Sequence, residues 1–285
     1  MTDAKKIKSA SNLGQITENL EQVSAFKLQK IKIQTENYKQ FMKDFLEIFN
    51  SVEFSGTSIG DKGKDLIFAM STDSGFSGNS NLRLFKKISE EYKNKKESLE
   101  LYCIGKKSLD YFLQDGFNVV GYINLPEEFV EQDFSEIYKY IENSISDKKY
   151  SNIKVYFNYL KNSVIRTPIN FNLFPFDKKS LNTFVRNMNI DVNSLTTKSD
   201  NIMVGSNIQE FKQEMIKQLS GYIIYGAALQ NKIGELASDI LLMNNIKNNA
   251  NNTVKGLISS FNKIRQSLLT QEVSKIMSSK MFIES

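Results

Sequence analysis

Residues 261–276 read Phe261-Asn-Lys-Ile-Arg-Gln-Ser-Leu-Leu-Thr-Gln-Glu-Val-Ser-Lys-Ile276, and they close a proline-free helical pattern that opens near Ile208. Within it Ile208, Phe211, Met215, Leu219 and Tyr222 recur at three- and four-residue intervals. Ile233, Leu236, Ile240 and Met243 resume the stripe, as one face of an amphipathic helix requires. Residues 244–252 break it, with only Ile246 and Ala250 apolar in an Asn-rich run, before Val254, Leu257, Phe261, Ile264 and Leu268 restore it. Asn is a poor helix former, so this interval predicts an exposed or weakened stretch of helix.

The other end of the chain carries the same kind of pattern. Leu13, Ile16, Leu20 and Val23 have the three-then-four spacing of a seam between helices, and Ile31, Tyr38, Phe45 and Val52 then repeat at sevens, flanked by Met42 and Phe49. The first proline is Pro126. The expectation is one amphipathic helix of some fifty residues, on the order of 75 Å long.

Between the two helices the period changes. The apolar run 66–70 ends in a Gly-rich turn and reads as a buried strand. A helix at 82–92, a strand at 99–104, a helix at 108–113, a strand at 117–123 and a helix at 127–145 follow, and 153–160 and 169–174 add two strands. Strand–helix alternation predicts a parallel sheet with helical crossovers. Residues 175–204 show no sustained period and read as a mostly irregular surface excursion. Three segments follow: helices over 1–57 and 206–285, and an α/β domain over 58–205.

Composition narrows the chemistry. With 285 residues, 40% of them hydrophobic, the chain is long enough for a substantial core, and its net charge of +5 is mild. A single cysteine, Cys103, leaves no intramolecular disulfide and reads as a buried thiol in an apolar run. With no histidine, a zinc or iron site loses its commonest nitrogen ligand, and Ser-His and Cys-His nucleophiles are excluded. The N-terminus opens on polar residues instead of an export signal, and the longest apolar stretch, 221–229, falls short of the ~20 residues of a bilayer span.

Three constellations invite a chemical reading, and each has a plainer one. The turn at Ser71, Asp73, Gly75 and Gly78 follows a strand, as phosphate loops do, but it lacks both Gly-x-Gly-x-x-Gly and a Lys-Ser/Thr pair after its second glycine. A tight strand-to-helix turn needs glycine for backbone reasons alone. The pairs Glu90-Glu91 and Glu127-Glu128 are sequence neighbours, point apart on a helix, and read as solvated faces. Lys5, Lys6, Lys8, Lys27, Lys30 and Lys32 could track a phosphate backbone, but no aromatic residues interleave them to stack bases. Nucleic acid is therefore not an expected partner.

Three separated segments in order resemble the gamma subunit of F-type rotary ATPases. Residues 261–276 look like its C-terminal helix, where Arg-Gln and Thr-Gln-Glu recur at this spacing. Gln15-Ile16-Thr17 and Glu21-Gln22-Val23-Ser24-Ala25-Phe26-Lys27 stand where that family has Gln-Lys-Ile-Thr and Met-Val-Ala-Ala-x-Lys. Ser71-Thr72-Asp73-Ser74-Gly75-Phe76-Ser77-Gly78, followed by Leu84-Phe85-Lys86-Lys87, is similar to its Ser-Thr-Asp-Arg-Gly-Leu-Cys-Gly segment and the following helix.

The resemblance implies a long antiparallel coiled coil of the N- and C-terminal helices with an inserted Rossmann-like α/β domain, serving as the central shaft of a rotary ATPase and not as a catalyst. It implies a hexameric ring of alpha and beta subunits as partner, with an epsilon-like subunit and a membrane rotor ring below. Arg265, Gln266 and Thr270 match residues that engage the catch loops of the beta subunits, and Lys27 matches a lysine facing the same ring. The chain itself would bind no cofactor, ATP, ADP and Mg residing in the partner subunits. Its place would be peripheral, on the cytoplasmic side of the cell membrane.

Ser74 and Ser77 replace the family's Arg and Cys, and 278–282 replace a Gly/Ala-rich tip; these departures fit a second reading, a paralogous shaft driving another machine such as a motility apparatus. A third is a free-standing α/β enzyme with helical extensions.

Overall fold

The computed structural model describes residues 3–50, 63–72, 79–162, 165–176, 178–190 and 208–283. Helix α1 (Asp3–Asn50) leads to strand β1 (Lys64–Met70), then α2 (Ser80–Glu91), β2 (Leu99–Ile104), α3 (Lys106–Gln114) and β3 (Val119–Ile123). Helix α4 (Ser135–Ser146), strands β4 (Tyr150–Leu160) and β5 (Arg166–Phe174), α5 (Lys178–Asn187) and α6 (Ile208–Ile283) complete the order. Packing divides the chain into two units, Met1–Phe26 with Asp239–Ser285, and Lys27–Ser238. The boundaries read from the sequence, at 57/58 and 205/206, lie outside the described residues, as does Val52.

The unit Lys27–Ser238 is built on a five-stranded sheet in the order β3-β2-β1-β4-β5. The first four strands are parallel, with Leu66 opposite Glu100 on β2 and Ile153 on β4. β1 is buried on both faces, which its unbroken run Leu66 to Met70 already reflects. The expected all-parallel sheet is corrected at one edge, where β5 pairs antiparallel with β4. Only residues 161–165 join them, too few for the helical crossover that a parallel pair needs.

Alternation along the strands sorts side chains into two cores. Ile67, Ala69, Leu101, Cys103 and Tyr156 face Leu84, Phe85 and Ile88 of α2 and Phe112 of α3. Leu66, Phe68, Tyr102, Val155 and Phe157 face the other way, into a larger core. There they join Ile137 and Ile141 of α4, Ile31, Tyr38, Met42 and Phe49 of α1, and Leu219, Ile223 and Ala227 of α6. Of the seven-residue repeat read on α1, Ile31 and Tyr38 enter this core and Phe45 packs against it.

Two further expectations change. The helix expected over 127–145 begins late, as a single turn at Glu131–Phe134 followed by α4. Residues 127–130 instead form a strap whose Phe129 carbonyl accepts from Gln34 Nε2 at 2.9 Å, and the Asp133 carboxylate takes the Val130 N–H at 2.8 Å. The excursion expected over 175–204 contains α5, whose Leu181, Phe184 and Val185 are buried against Phe157 and Phe171.

The largest correction concerns the seam on the N-terminal helix. Leu13, Ile16, Leu20 and Val23 are 47%, 56%, 43% and 48% exposed. The side facing residues 239–285 carries Gly14, Thr17, Glu21 and Ser24. The cause is phase. Counting back from Tyr38, Thr35, Ile31 and Leu28 in steps of three and four lands on Ser24, Glu21, Thr17 and Gly14. The more apolar stripe would continue instead into Lys27, Lys30 and Gln34.

Candidate functional site: the helical pair and its exposed residues

In the unit formed by Met1–Phe26 and Asp239–Ser285, contacts between the helices are small or polar. The Glu21 carboxylate accepts from Asn244 Nδ2 at 3.1 Å and from Lys247 Nζ at 2.6 Å. The Lys247 hydrogen bond, working against desolvation, holds the Glu21 carboxyl below its ordinary value. Asn248 Nδ2 adds a bond to Asn244 Oδ1 at 2.8 Å. Gly14 lies against Ala250 and Asn251, and Thr17 bonds its own helix at Leu13 and Gly14. The Asn-rich interval is unbroken helix, and one of its asparagines, Asn244, supplies with Lys247 the bonds to α1.

The register that sets Gly14 beside Ala250 and Glu21 beside Lys247 brings the start of α1 level with Phe261. Beyond that point α6 has no companion among the described residues of the unit. Val254 and Leu257 are half-buried, while Phe261, Ile264, Leu268, Leu269, Val273 and Ile276 are exposed. Successive residues differ by about 100° around a helix, so these six apolar side chains spread over about half of its circumference and leave the other half to Lys263, Ser267, Thr270 and Ser274.

Arg265, Gln266 and Thr270 stand on this unaccompanied stretch, all exposed. The Thr270 hydroxyl donates to the Gln266 carbonyl at 2.9 Å, which stacks these two one turn apart. Arg265 lies about a quarter turn away and makes no hydrogen bond or ion pair among the described residues. The arrangement offers one guanidinium, one amide and one hydroxyl amid apolar surface. It can bind a polar protein loop, and it holds no group positioned for bond making.

Lys27 belongs to the other unit. Its ammonium is paired with the Glu127 carboxylate, and 25% of its side chain is exposed. The turn residue Ser71 is absorbed into the fold. Its hydroxyl accepts the Ser108 N–H at 3.2 Å, and its carbonyl accepts from Asn231 Nδ2 at 3.2 Å. Thr72 beside it is clasped by Asn81, whose Nδ2 donates to the Thr72 carbonyl at 2.9 Å. These bonds serve the strand-to-helix connection. Asp73, Gly75 and Gly78, like Ser74 and Ser77, lie outside the described residues, and nothing is described of the side chains at 278–282.

Reading the sequence missed the Glu21–Asn244–Lys247 cluster and the outward aspect of Leu13, Ile16, Leu20 and Val23. Carrying the 31-35-38-42 phase back to residue 14 would have found both. Among the described residues no helix is long and apolar enough to cross a membrane.

Comparison with known proteins gives a consistent result. A family model described as ATP synthase matches residues 4–280. The ATP synthase gamma chain of Clostridium botulinum (strain Langeland) is 27% identical over 281 residues, covering 95% of this chain and 94% of its own. That of Buchnera aphidicola subsp. Schlechtendalia chinensis is 26% identical over 289 residues, covering 96% and 94%. Among solved structures, a chain of the Euglena gracilis mitochondrial ATP synthase (OSCP/F1/c-ring) is similar with a TM-score of 0.59 at 15% identity, covering 99% of this chain and 93% of that one. A chain from the central stalk and c-ring of Tetrahymena thermophila mitochondrial ATP synthase gives 0.58 at 17% identity, covering 81% and 98%.

Proposed function

Because this chain belongs to the ATP synthase gamma family, we propose that it is the central rotor shaft of a rotary ATPase, coupling ATP hydrolysis or synthesis in an alpha3-beta3 ring to rotation. The observation that carries the reading is the stretch of α6 from Phe261 to Ile276, whose six exposed apolar residues cover about half of its circumference. A rod of this kind left in water would be an aggregation surface. Inside a sleeve of subunits each such side chain gains about 1.5–3 kcal/mol on burial. The outward stripe Leu13, Ile16, Leu20 and Val23 offers the same sleeve a second apolar contact.

The shaft performs no bond chemistry. Arg265 on one side of α6, and Gln266 with Thr270 on another, give the rod unlike faces, so each beta subunit of the ring meets a different one. Rotation then biases each nucleotide site by the difference in contact free energy between faces. ATP, ADP and Mg are bound by the ring subunits in this reading. An epsilon-like subunit and a membrane rotor ring take the other contacts, and they hold the chain peripherally at the cytoplasmic face of the membrane.

Native purification with the chain tagged, followed by mass spectrometry, tests the assignment. Three alpha-like and three beta-like subunits per chain are expected. Recovery of the chain with no hexamer would sink it, and a hexamer lacking any channel-ring subunit would assign the shaft to a different machine.

A further inference from the structure

Lys27 and Lys30 stand three residues apart on α1, and each meets its own acidic partner on the strap 127–130. Lys27 Nζ pairs with Glu127 Oε1, and Lys30 Nζ pairs with Glu128 Oε2. Four residues on, Gln34 Nε2 donates to the Phe129 carbonyl at 2.9 Å and to the Tyr225 hydroxyl at 2.6 Å. Positions 27, 30 and 34 thus grip 127, 128 and 129 in the same order. The contacts join parts of the chain 100, 98 and 95 residues apart.

These rungs do not serve a packed interface. Between the strap and the helices lies a cavity of about 190 Å³, lined by Ile31, Leu236 and Val130 together with Lys27 and Lys30. Along this stretch side chains, and not close packing, hold the strap. Phe129 alone is driven home, edge-on to Phe134 at 5.6 Å and to Tyr225 at 6.3 Å. Half-exposed ion pairs contribute little to stability. What they add is position: they fix where the β3-to-α4 connection sits along α1.

We propose that Lys27 and Lys30 act within the chain, as a latch that fastens the α/β domain to α1 so that torque on the helix passes to the domain. The proposal rests on the rotor reading, and it gives Lys27 a role different from contact with the ring. Lys27 is a positioning residue here. Its charge is already neutralised by Glu127, so an acidic loop of a partner would first have to displace that carboxylate.

Hydrogen exchange over residues 126–134 of the full-length chain, with ATPase coupling in the assembled complex, tests the latch. Lys27→Gln and Glu127→Gln are each expected to speed exchange by about two- to fivefold, the effect of one exposed ion pair. The double variant is expected to be no faster, and the charge swap Lys27→Glu with Glu127→Lys to restore both exchange and coupling. If Lys27→Gln uncouples while Glu127→Gln leaves exchange and coupling unchanged, Lys27 works on a partner and the latch is wrong. A swap that fails to restore exchange also overturns it. Should no hexamer assemble around the wild-type chain, the rotor reading fails, and the exchange result still decides whether the latch exists.

Discussion

Tyr38 of α1 lies flat against the backbone of Gly226 on α6, so close that a β-carbon there would overlap its hydroxyl and its ring. The hydroxyl donates to the Tyr222 carbonyl at 3.0 Å, and the ring meets Tyr225 edge-on at 5.7 Å. Burial pushes the phenol well above its ordinary pKa, so it remains a donor at any working pH. Gly226→Ala should destabilise the chain by about 1–3 kcal/mol through overpacking, despite alanine's better helix propensity. Urea unfolding checks it, and an unchanged midpoint would show that Tyr38 can move aside.

At Gly14 the same substitution has the opposite sign. An added β-carbon would rest 3.8 Å from Ala250 Cβ and 3.4 Å from Asn251 Oδ1, which is ordinary contact. Gly14→Ala should stabilise the helical pair by about 0.5–1 kcal/mol through helix propensity alone. A rise in thermal midpoint is the expected reading.

Leu20 separates an inward from an outward seam. Its side chain is exposed in the free chain, so Leu20→Asp should leave the isolated protein's stability within about 0.5 kcal/mol. Recovery of the hexamer should drop by about tenfold or more, because the substitution loses one apolar burial and places a charge against the sleeve. An isolated variant that melts early would place Leu20 inside after all.

Glu100 on β2 sets an acid limit. Burial raises its carboxyl pKa, but hydrogen bonds from Tyr150 at 2.7 Å and from Lys149 and Lys64 at 3.0 Å outweigh that and hold it at about 2. A depressed folded pKa stabilises above the unfolded value of about 4.3, and the gain disappears as pH falls toward 2. Unfolding midpoints should decline across that window in the wild type and much less in Glu100→Gln. At pH 7 the variant should be weaker by about 1–3 kcal/mol, since one accepting oxygen becomes an amide donor and the charge that pairs two ammonium groups is lost.

The core of the α/β unit was legible because its signals are local and agree with one another. The run 66–70 is buried on both faces and became the central strand, and Ile31, Tyr38 and Met42 entered the core as their spacing says. The N-terminal seam was misread because Leu13, Ile16, Leu20 and Val23 are more apolar than Gly14, Thr17 and Glu21, and hydrophobicity was taken as a sign of intrachain burial. In a chain built to be enclosed, apolar residues answer to another molecule. The strap 127–130 escaped for a different reason: residues nearly a hundred positions upstream determine that it is not helix. Arg265, Gln266 and Thr270 could be singled out only by resemblance, since on an exposed helix their types are ordinary.

Glu21 and Lys247 are 226 positions apart, so the two members of the helical pair are made far apart in synthesis. At ordinary translation rates the first helix waits roughly 10 to 45 s for its companion. During that interval Glu21 has no lysine and the stripe from Leu13 to Val23 lies open. The five strands between them, all made by residue 174, have time to form before residues 239–285 pair with the first helix. Pairing of the two helices thus comes late after the first emerges, and whatever encloses the pair can act only once Lys247 has been made.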